Sequence, residues 1–165
     1  MDIFSLKGKN AWVTGAAYGI GFAIAKAFVE AGVEHIIFNT SNEASMRKGL
    51  EAYREAGITN VHGYVCDVTD EVAVKALVDR IHREVGRIDI LVNNAGIIKR
   101  IPMHKMSRAE FQRVIDVDLV GPYICAKTPA GRWLDPDELA GIRKCVSFLS
   151  CRVKNLIPSK IIWQK

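Results

Sequence analysis

The sequence has no apolar run long enough to span a bilayer, and no basic segment followed by an apolar core near residue 1. We therefore expect neither a membrane protein nor a secreted one, and predict a cytoplasmic location. The four cysteines show no Cys-x-x-Cys spacing, which argues against a metal site and favours reduced thiols. Accordingly, no metal-binding residue is predicted.

Acidic residues are missing from residues 142–165, a stretch that carries six basic side chains. The other 141 residues hold 17 basic and 18 acidic groups, so the net charge of +5 belongs to this tail. Apolar residues three and four apart within it are compatible with a helix on a membrane surface. Since no recognition motif accompanies the charge, we expect an unplaced tail and no nucleic-acid or membrane partner.

Short apolar runs alternate with longer amphipathic stretches over the first two thirds of the chain. Strands are predicted at residues 10–14, 35–38, 61–65 and 88–92, and helices at 19–30, 42–56, 69–85 and from Ser107 onward. Thr69 is the predicted cap of the third helix, and Ser107 with Glu110 forms a capping box. This alternation predicts an α/β fold, a parallel sheet with helices on both faces.

The alternation ends after Lys127. A polar, turn-rich link is predicted from Thr128, followed by a helix that starts at Asp135 with Pro136 in its first turn. We therefore predict two parts, a dinucleotide-binding domain over residues 1–127 and a displaced segment with the basic tail over residues 128–165.

The clearest motif is Thr-Gly-Ala-Ala-Tyr-Gly-Ile-Gly at residues 14–21, between the first predicted strand and the first predicted helix. Glycines there let the backbone turn tightly and approach a pyrophosphate at the amino end of the helix. A glycine-rich run alone is weak evidence, but the strand–turn–helix context is the one that a dinucleotide site requires. A tight turn without a ligand is the alternative.

Three motifs in this order resemble the short-chain dehydrogenase/reductase family: the glycine-rich run, Cys-Asp-Val at 66–68 and Asn-Asn-Ala-Gly at 93–96. Residues 63–70 and 93–102 are most similar to its gluconate 5-dehydrogenase branch. The resemblance covers residues 1–127. It implies a Rossmann-like, doubly wound sheet of strand order 3-2-1-4, truncated after the fourth strand and followed by an extra carboxyl-terminal helix and tail.

The resemblance also implies a nicotinamide dinucleotide bound at the carboxyl ends of the strands. Asp67 and Val68 would flank the adenine, and residues 93–96 would line the cofactor's ribose and support the sheet. The end of the second strand, residues 38–41, has no carboxylate to repel a 2′-phosphate, which favours NADP(H) over NAD(H). The predicted cofactor-binding residues are Gly15, Tyr18, Gly19, Ile20, Gly21, Asn39, Asp67, Val68, Asn93, Ala95 and Gly96.

The catalytic residues that the resemblance implies are not matched. Family members transfer a hydride at an alcohol or carbonyl with an asparagine, a serine, a tyrosine and a lysine one helical turn after the tyrosine. Asp118 occupies the place of the asparagine, either as a surface carboxylate or as a functional group. Tyr123 and Lys127 match Tyr-x-x-x-Lys in letters but share a helix with Asp118, so we predict no catalytic residue and a packed Tyr123.

The resulting expectation is an NAD(P)-dependent oxidoreductase by family, with gluconate or 5-ketogluconate as the substrate class. An internal deletion after about residue 127 would remove the serine-bearing strand and the tyrosine–lysine helix, leaving the chain without catalysis. The alternative is a non-catalytic dinucleotide binder, or a partner of an intact relative. The helix over residues 107–127, an interface element in the family, would offer apolar side chains to a second copy or a relative.

Overall fold

Four short apolar runs pair as the strands of a parallel sheet. The structure, a computed structural model, describes residues 5–133, with the backbone alone for residues 130–133. The strands are β1 (Asn10–Thr14), β2 (His35–Thr40), β3 (Val61–Val65) and β4 (Ile90–Val92), in the order β3-β2-β1-β4. The predicted Rossmann-like fold and its strand order are confirmed.

Within residues 5–133, five α-helices connect or follow the strands. They are α1 (Gly19–Glu30), α2 (Glu43–Glu55), α3 (Glu71–Glu84), α4 (Arg108–Ile115) and α5 (Gly121–Trp133). One apolar cluster joins α1 and α2 to one face of the sheet through residues such as Val13 and Phe38. A second cluster joins α3 and α5 to the other face through Trp12 and Leu91. Because both faces are covered, the central strands are continuous apolar runs rather than alternating ones.

Helices α2, α3 and α4 each begin with a side-chain cap. Asn42 accepts from the Ser45 amide at the start of α2, and Ser107 with Glu110 forms the predicted capping box of α4. At α3, the cap is Asp70, which accepts from two backbone amides, so the prediction of Thr69 was wrong. The Thr69 hydroxyl instead donates to the carboxylate of Asp67.

The segment after Ser107 is not one regular helix. A π-helical turn, Asp116–Val120, separates α4 from α5. The turn-rich link predicted from Thr128 is wrong for residues 128–133, which continue α5 with Pro129 inside it. The local turn composition is overridden because Ile124 and Cys125 are buried and hold the helix onto the core. The helix predicted at Asp135 and the basic tail lie outside the described residues.

The described sheet ends at β4. Within residues 5–133, β4 pairs with β1 and has no strand on its other side, as expected for a sheet that stops at the fourth strand. No helix in that part of the chain is long and apolar enough to cross a membrane. Nor does any group of three or more His, Cys, Asp or Glu side chains there form a metal-binding arrangement.

Candidate functional site

A cleft of about 450 Å³ opens at the carboxyl ends of the strands. Open parallel sheets bind their ligands at this edge. Ten of the eleven predicted site residues line it: Gly15, Tyr18, Gly19, Ile20, Gly21, Asn39, Asp67, Val68, Ala95 and Gly96. The eleventh, Asn93, is buried behind the cleft and directs its amide toward the Pro122 carbonyl.

The turn between β1 and α1 depends on three glycines. Gly15 has a φ of +66°, and a Cβ there would come within 2.9 Å of the Ala95 Cα. A Cβ on Gly21 would overlap the Asn94 side chain. Gly19 also has a positive φ, +63°, but it differs from the other two glycines in its surroundings. Nothing lies within 4 Å of a Cβ placed on it. The first two glycines therefore allow close packing, while Gly19 keeps the space beside the turn open.

The amino end of α1 is the part of the cleft best suited to an anion. Its N-cap residue, Tyr18, makes no side-chain hydrogen bond to the helix, and the first turn of α1 has no acidic residue. Helices α2, α3 and α4 all carry a side-chain cap and an acidic first-turn residue. The exposed amides and the helix dipole of α1 thus remain available to a negatively charged group.

Thr14 and Asn94 brace the glycine turn against the loop after β4. The Thr14 hydroxyl accepts hydrogen bonds from the amides of Asn94 and Ala95, at 3.0 and 2.9 Å. In return, the Asn94 side chain donates to the carbonyls of Thr14 and Gly15, at 2.9 and 3.2 Å. Asn94 lines the cleft. It lies inside the predicted motif, yet the sequence alone did not single it out.

The Asn39 side chain points into the core. It is 2% exposed; its Oδ1 accepts from the Trp12 indole at 3.0 Å and its Nδ2 donates to the Cys66 carbonyl at 2.9 Å. Both polar atoms are therefore engaged in joining β1 to the end of β3. The residues that line the cleft here also include Thr40, at the end of β2, and Ser41, both in the segment 38–41 on which the cofactor prediction was based. Asn42 and Ser45 line it too and were not predicted.

Asp67 is held from two directions. Its Oδ1 accepts from the Thr69 amide and hydroxyl, at 3.0 and 2.8 Å. Its Oδ2 accepts from Nη2 of Arg113, at 3.3 Å, and that arginine comes from α4. Partial burial raises the pKa of Asp67, but the bonds from Thr69 and Arg113 outweigh it and leave the pKa below its usual value. Arg113 also lines the cleft, and no sequence motif pointed to it.

Asp118 lies in the π-helical turn and also lines the cleft. Its Oδ1 accepts from the Ile97 amide at 2.8 Å, which ties the turn to the loop after β4. Burial raises the pKa of Asp118, against the opposing effect of the Ile97 bond. Asp118 is therefore half-buried at the edge of the cleft and bonded to a neighbouring loop.

Tyr123 and Lys127 lie away from the cleft, and neither lines it. Tyr123 is 62% exposed, so the prediction of a packed aromatic was wrong; its neighbours Ile124 and Cys125 occupy the inward side of α5. The Lys127 ammonium forms an ion pair with Glu71 at 2.8 Å and lies 5.7 Å from the Tyr123 ring centre.

The glycine turn, the uncapped α1 and the loop after β4 are accompanied by a direct family match. The family model described as short chain dehydrogenase matches residues 9–138. The chain belongs to the short-chain dehydrogenase family, an oxidoreductase family.

Its relatives confirm the predicted resemblance to gluconate dehydrogenases. The chain is 44% identical over 127 residues to a 2-dehydro-3-deoxy-D-gluconate 5-dehydrogenase of Formosa agariphila, covering 77% of this chain and 48% of the relative. A solved 2-keto-3-deoxy-D-gluconate dehydrogenase from Streptococcus agalactiae is 55% identical with a TM-score of 0.69, covering 78% and 47%. A gluconate 5-dehydrogenase from Burkholderia cenocepacia, in complex with NADP and tartrate, is 34% identical with a TM-score of 0.70, covering 78% and 50%. The chain thus spans about half the length of these relatives.

Proposed function

We propose that this chain binds a nicotinamide dinucleotide in the cleft. The observation that carries the proposal is the amino end of α1, which has no side-chain cap and no acidic residue in its first turn. Gly19 keeps the adjoining space open. A pyrophosphate fits this place because its charge would be stabilised by the amides and dipole of the helix.

The rest of the cleft fits the two halves of such a cofactor. Asp67 and Val68 would flank the adenine, and the loop at Ala95 and Gly96 would lie along the nicotinamide side. When bound, the nicotinamide ring supplies a hydride acceptor or donor. The chain's own contribution is to bind and orient the cofactor on a braced turn, in which Thr14 and Asn94 are already hydrogen bonded.

The segment at the end of β2 favours NADP(H) over NAD(H). The residues that line the cleft there, Asn39, Thr40, Ser41, Asn42 and Ser45, include no carboxylate. A 2′-phosphate would meet hydroxyl groups rather than a negative charge, so the usual basis for rejecting it is missing. One relative, the gluconate 5-dehydrogenase from Burkholderia cenocepacia, was solved in complex with NADP.

We further propose that this chain does not itself complete hydride transfer. Tyr123 and Lys127 form the only Tyr-x-x-x-Lys in the sequence, and they lie outside the cleft. Lys127 is paired with Glu71, on another helix. Under this proposal, substrates of the gluconate type are used by relatives of the chain and are not bound by a pocket of residues 5–133.

The test is a fluorescence titration of the folded chain with NADPH and, separately, with NADH, followed by turnover assays with gluconate and 2-dehydro-3-deoxygluconate. We expect saturable binding that is lost in Gly15→Asp, tighter for NADPH, and no turnover. Measurable turnover would contradict the loss of catalysis. A folded chain that binds neither cofactor would show that the motifs reflect ancestry alone.

A second role, pairing with another chain, is favoured by the surface of α4, the π-helical turn and α5. One large apolar side chain on each of these three elements is at least half exposed, namely Phe111, Leu119 and Tyr123. Exposed apolar patches of this kind mark interaction sites. We propose that a second copy or an intact relative covers them. Light scattering should show self-association that weakens in Phe111→Ser, whereas a monomer at all concentrations would exclude the second copy.

A further inference from the structure

The carboxylate of Asp67 is fixed by donors from two separate parts of the chain. Thr69, two residues later, occupies Oδ1 through its amide and hydroxyl. Arg113, 46 residues later on α4, donates to Oδ2. Thr69 therefore donates to one oxygen and Arg113 to the other, so that the two oxygens of the carboxylate are held by different parts of the chain.

A carboxylate in this position can tell purines apart. An ionised carboxylate only accepts hydrogen bonds. Adenine offers an exocyclic amino group, a donor, whereas hypoxanthine has a carbonyl oxygen, an acceptor, at the same place. An oriented, charged Oδ2 therefore attracts the first base and repels the second, and Arg113 leaves that oxygen with a further acceptor site.

We infer that Arg113 is a positioning residue for the purine: by holding Oδ2 of Asp67, it makes the cleft selective for an adenine dinucleotide over a hypoxanthine one. The inference rests on the proposed dinucleotide binding. It goes beyond that proposal because it assigns a role to a residue of α4, outside the motifs that follow the strands.

The exposure of the ion pair separates this role from a structural one. The side chains of Arg113 and Asp67 are 51% and 37% exposed. Exposed pairs of this kind contribute little to stability. Replacing Arg113 should therefore leave the chain folded and its unfolding midpoint almost unchanged, so that any change in base selectivity reports on the site itself.

The experiment titrates NADPH and its hypoxanthine analogue against the wild-type chain and the variants Arg113→Gln, Arg113→Lys and Arg108→Gln. Arg108 is an exposed arginine at the start of the same helix and does not line the cleft, so it serves as the control. We expect the wild type to prefer NADPH by roughly tenfold or more, the range for a hydrogen bond to a charged group. Arg113→Gln should reduce the preference at least about threefold, Arg113→Lys should restore most of it, and Arg108→Gln should keep it.

Three results would overturn the inference. The first is equal affinity of the wild type for both dinucleotides, and the second is an unchanged preference for NADPH in Arg113→Gln. The third is an equal loss of affinity for both dinucleotides in that variant. The third result would indicate that Arg113 stacks on the base or attracts phosphate without distinguishing adenine from hypoxanthine. A folded wild-type chain that binds neither dinucleotide would instead refute the proposed function, and this inference with it.

Discussion

At the residue scale, the polar side chains around the cleft are already held by neighbours within the chain. Thr14 and Asn94 brace the glycine turn, and Thr69 and Arg113 fix Asp67. Groups held in this way lose little conformational entropy when a ligand arrives. The cleft is therefore expected to bind without large rearrangement of the loop after β4.

Asp118 offers a test of charge burial beside the cleft. Burial raises the folded-state pKa of Asp118, so the folded chain binds this proton more tightly than the unfolded chain does. The resulting stabilisation is complete below the unfolded pKa of the residue, about 3.9. It is lost as the pH rises through the folded-state pKa. Asp118→Asn keeps an oxygen that can accept from the Ile97 amide. We therefore expect this variant to unfold at higher denaturant than the wild type at pH 7, with the difference disappearing at acidic pH.

Denaturant unfolding of both proteins across this pH range checks the expectation. Asp118→Ala, which removes the acceptor, should be less stable than Asp118→Asn throughout. A wild-type chain that is the more stable one at pH 7 would show that the ionised carboxylate contributes favourably.

Asn39 distinguishes a structural residue from one that selects the cofactor. Asn39→Asp removes the donor to the Cys66 carbonyl and places a charge in a site that is 2% exposed. We expect a loss of about 2–4 kcal/mol in the free energy of unfolding, from the unmet buried groups. Ser41 is exposed and lines the cleft. Ser41→Asp should therefore leave the stability unchanged and lower the affinity for NADPH more than the affinity for NADH.

Urea unfolding and cofactor titrations of the two variants make the comparison. A stable Asn39→Asp protein that switches its preference to NADH would contradict the core position of this side chain.

The sequence predicted positions along the strands better than side-chain directions. The end of β1 and the glycines that follow it could be located from the sequence, because a tight turn from a strand into a helix requires glycine. The inward direction of Asn39 could not, since it depends on the indole of Trp12, a partner on another strand. Arg113 escaped prediction for the same reason, because its partner Asp67 is distant in the sequence.

At the scale of elements, the ends of the helices are set by local side chains. Asp70 accepts from the amides of Val72 and Ala73 at the start of α3. Asp70→Ala should therefore lower the free energy of unfolding by about 1 kcal/mol. Asp70→Ser, which can still cap, should recover most of that loss in the same denaturant experiment. If Thr69→Ala is costly and Asp70→Ala is not, the cap has been assigned to the wrong residue.

The elements themselves could be predicted where apolar periodicity and glycines agree, as for β1 and α1. The region after Ser107 was harder. A π-helical turn leaves no clear mark in the spacing of apolar residues, and Pro129 with Gly131 indicated a link where α5 continues. There the burial of Ile124 and Cys125 against the core decides the outcome.

At the scale of the whole molecule, the chain spans about half the length of the relatives it matches, and its described sheet ends at β4. β4 has a strand on one side within residues 5–133, and apolar side chains of α4, the π-helical turn and α5 are exposed. Edges and patches of this kind favour association with other chains. The resemblance to the family predicted the strand order of the described sheet, since its three motifs follow β1, β3 and β4.

A cofactor should stabilise such a chain. Binding to the folded state alone adds about 2.7 kcal/mol when the ligand is at one hundred times its Kd. We therefore expect NADPH to raise the thermal unfolding midpoint in proportion to the logarithm of its concentration. A midpoint that does not move at saturating NADPH would contradict binding to the folded chain.

The measurement that tests the central claim most directly is an NADPH titration of two matched variants, Gly19→Ala and Gly57→Ala. Both glycines have positive φ, +63° and +74°, and neither has an atom within 4 Å of an added Cβ. Each substitution should cost a similar 1–2 kcal/mol or so of stability, from the left-handed backbone. Of the two, only Gly19 lines the cleft at the amino end of α1.

The account predicts at least roughly tenfold weaker NADPH binding for Gly19→Ala and wild-type affinity for Gly57→Ala. Equal affinities in the two folded variants would contradict a pyrophosphate site at the amino end of α1.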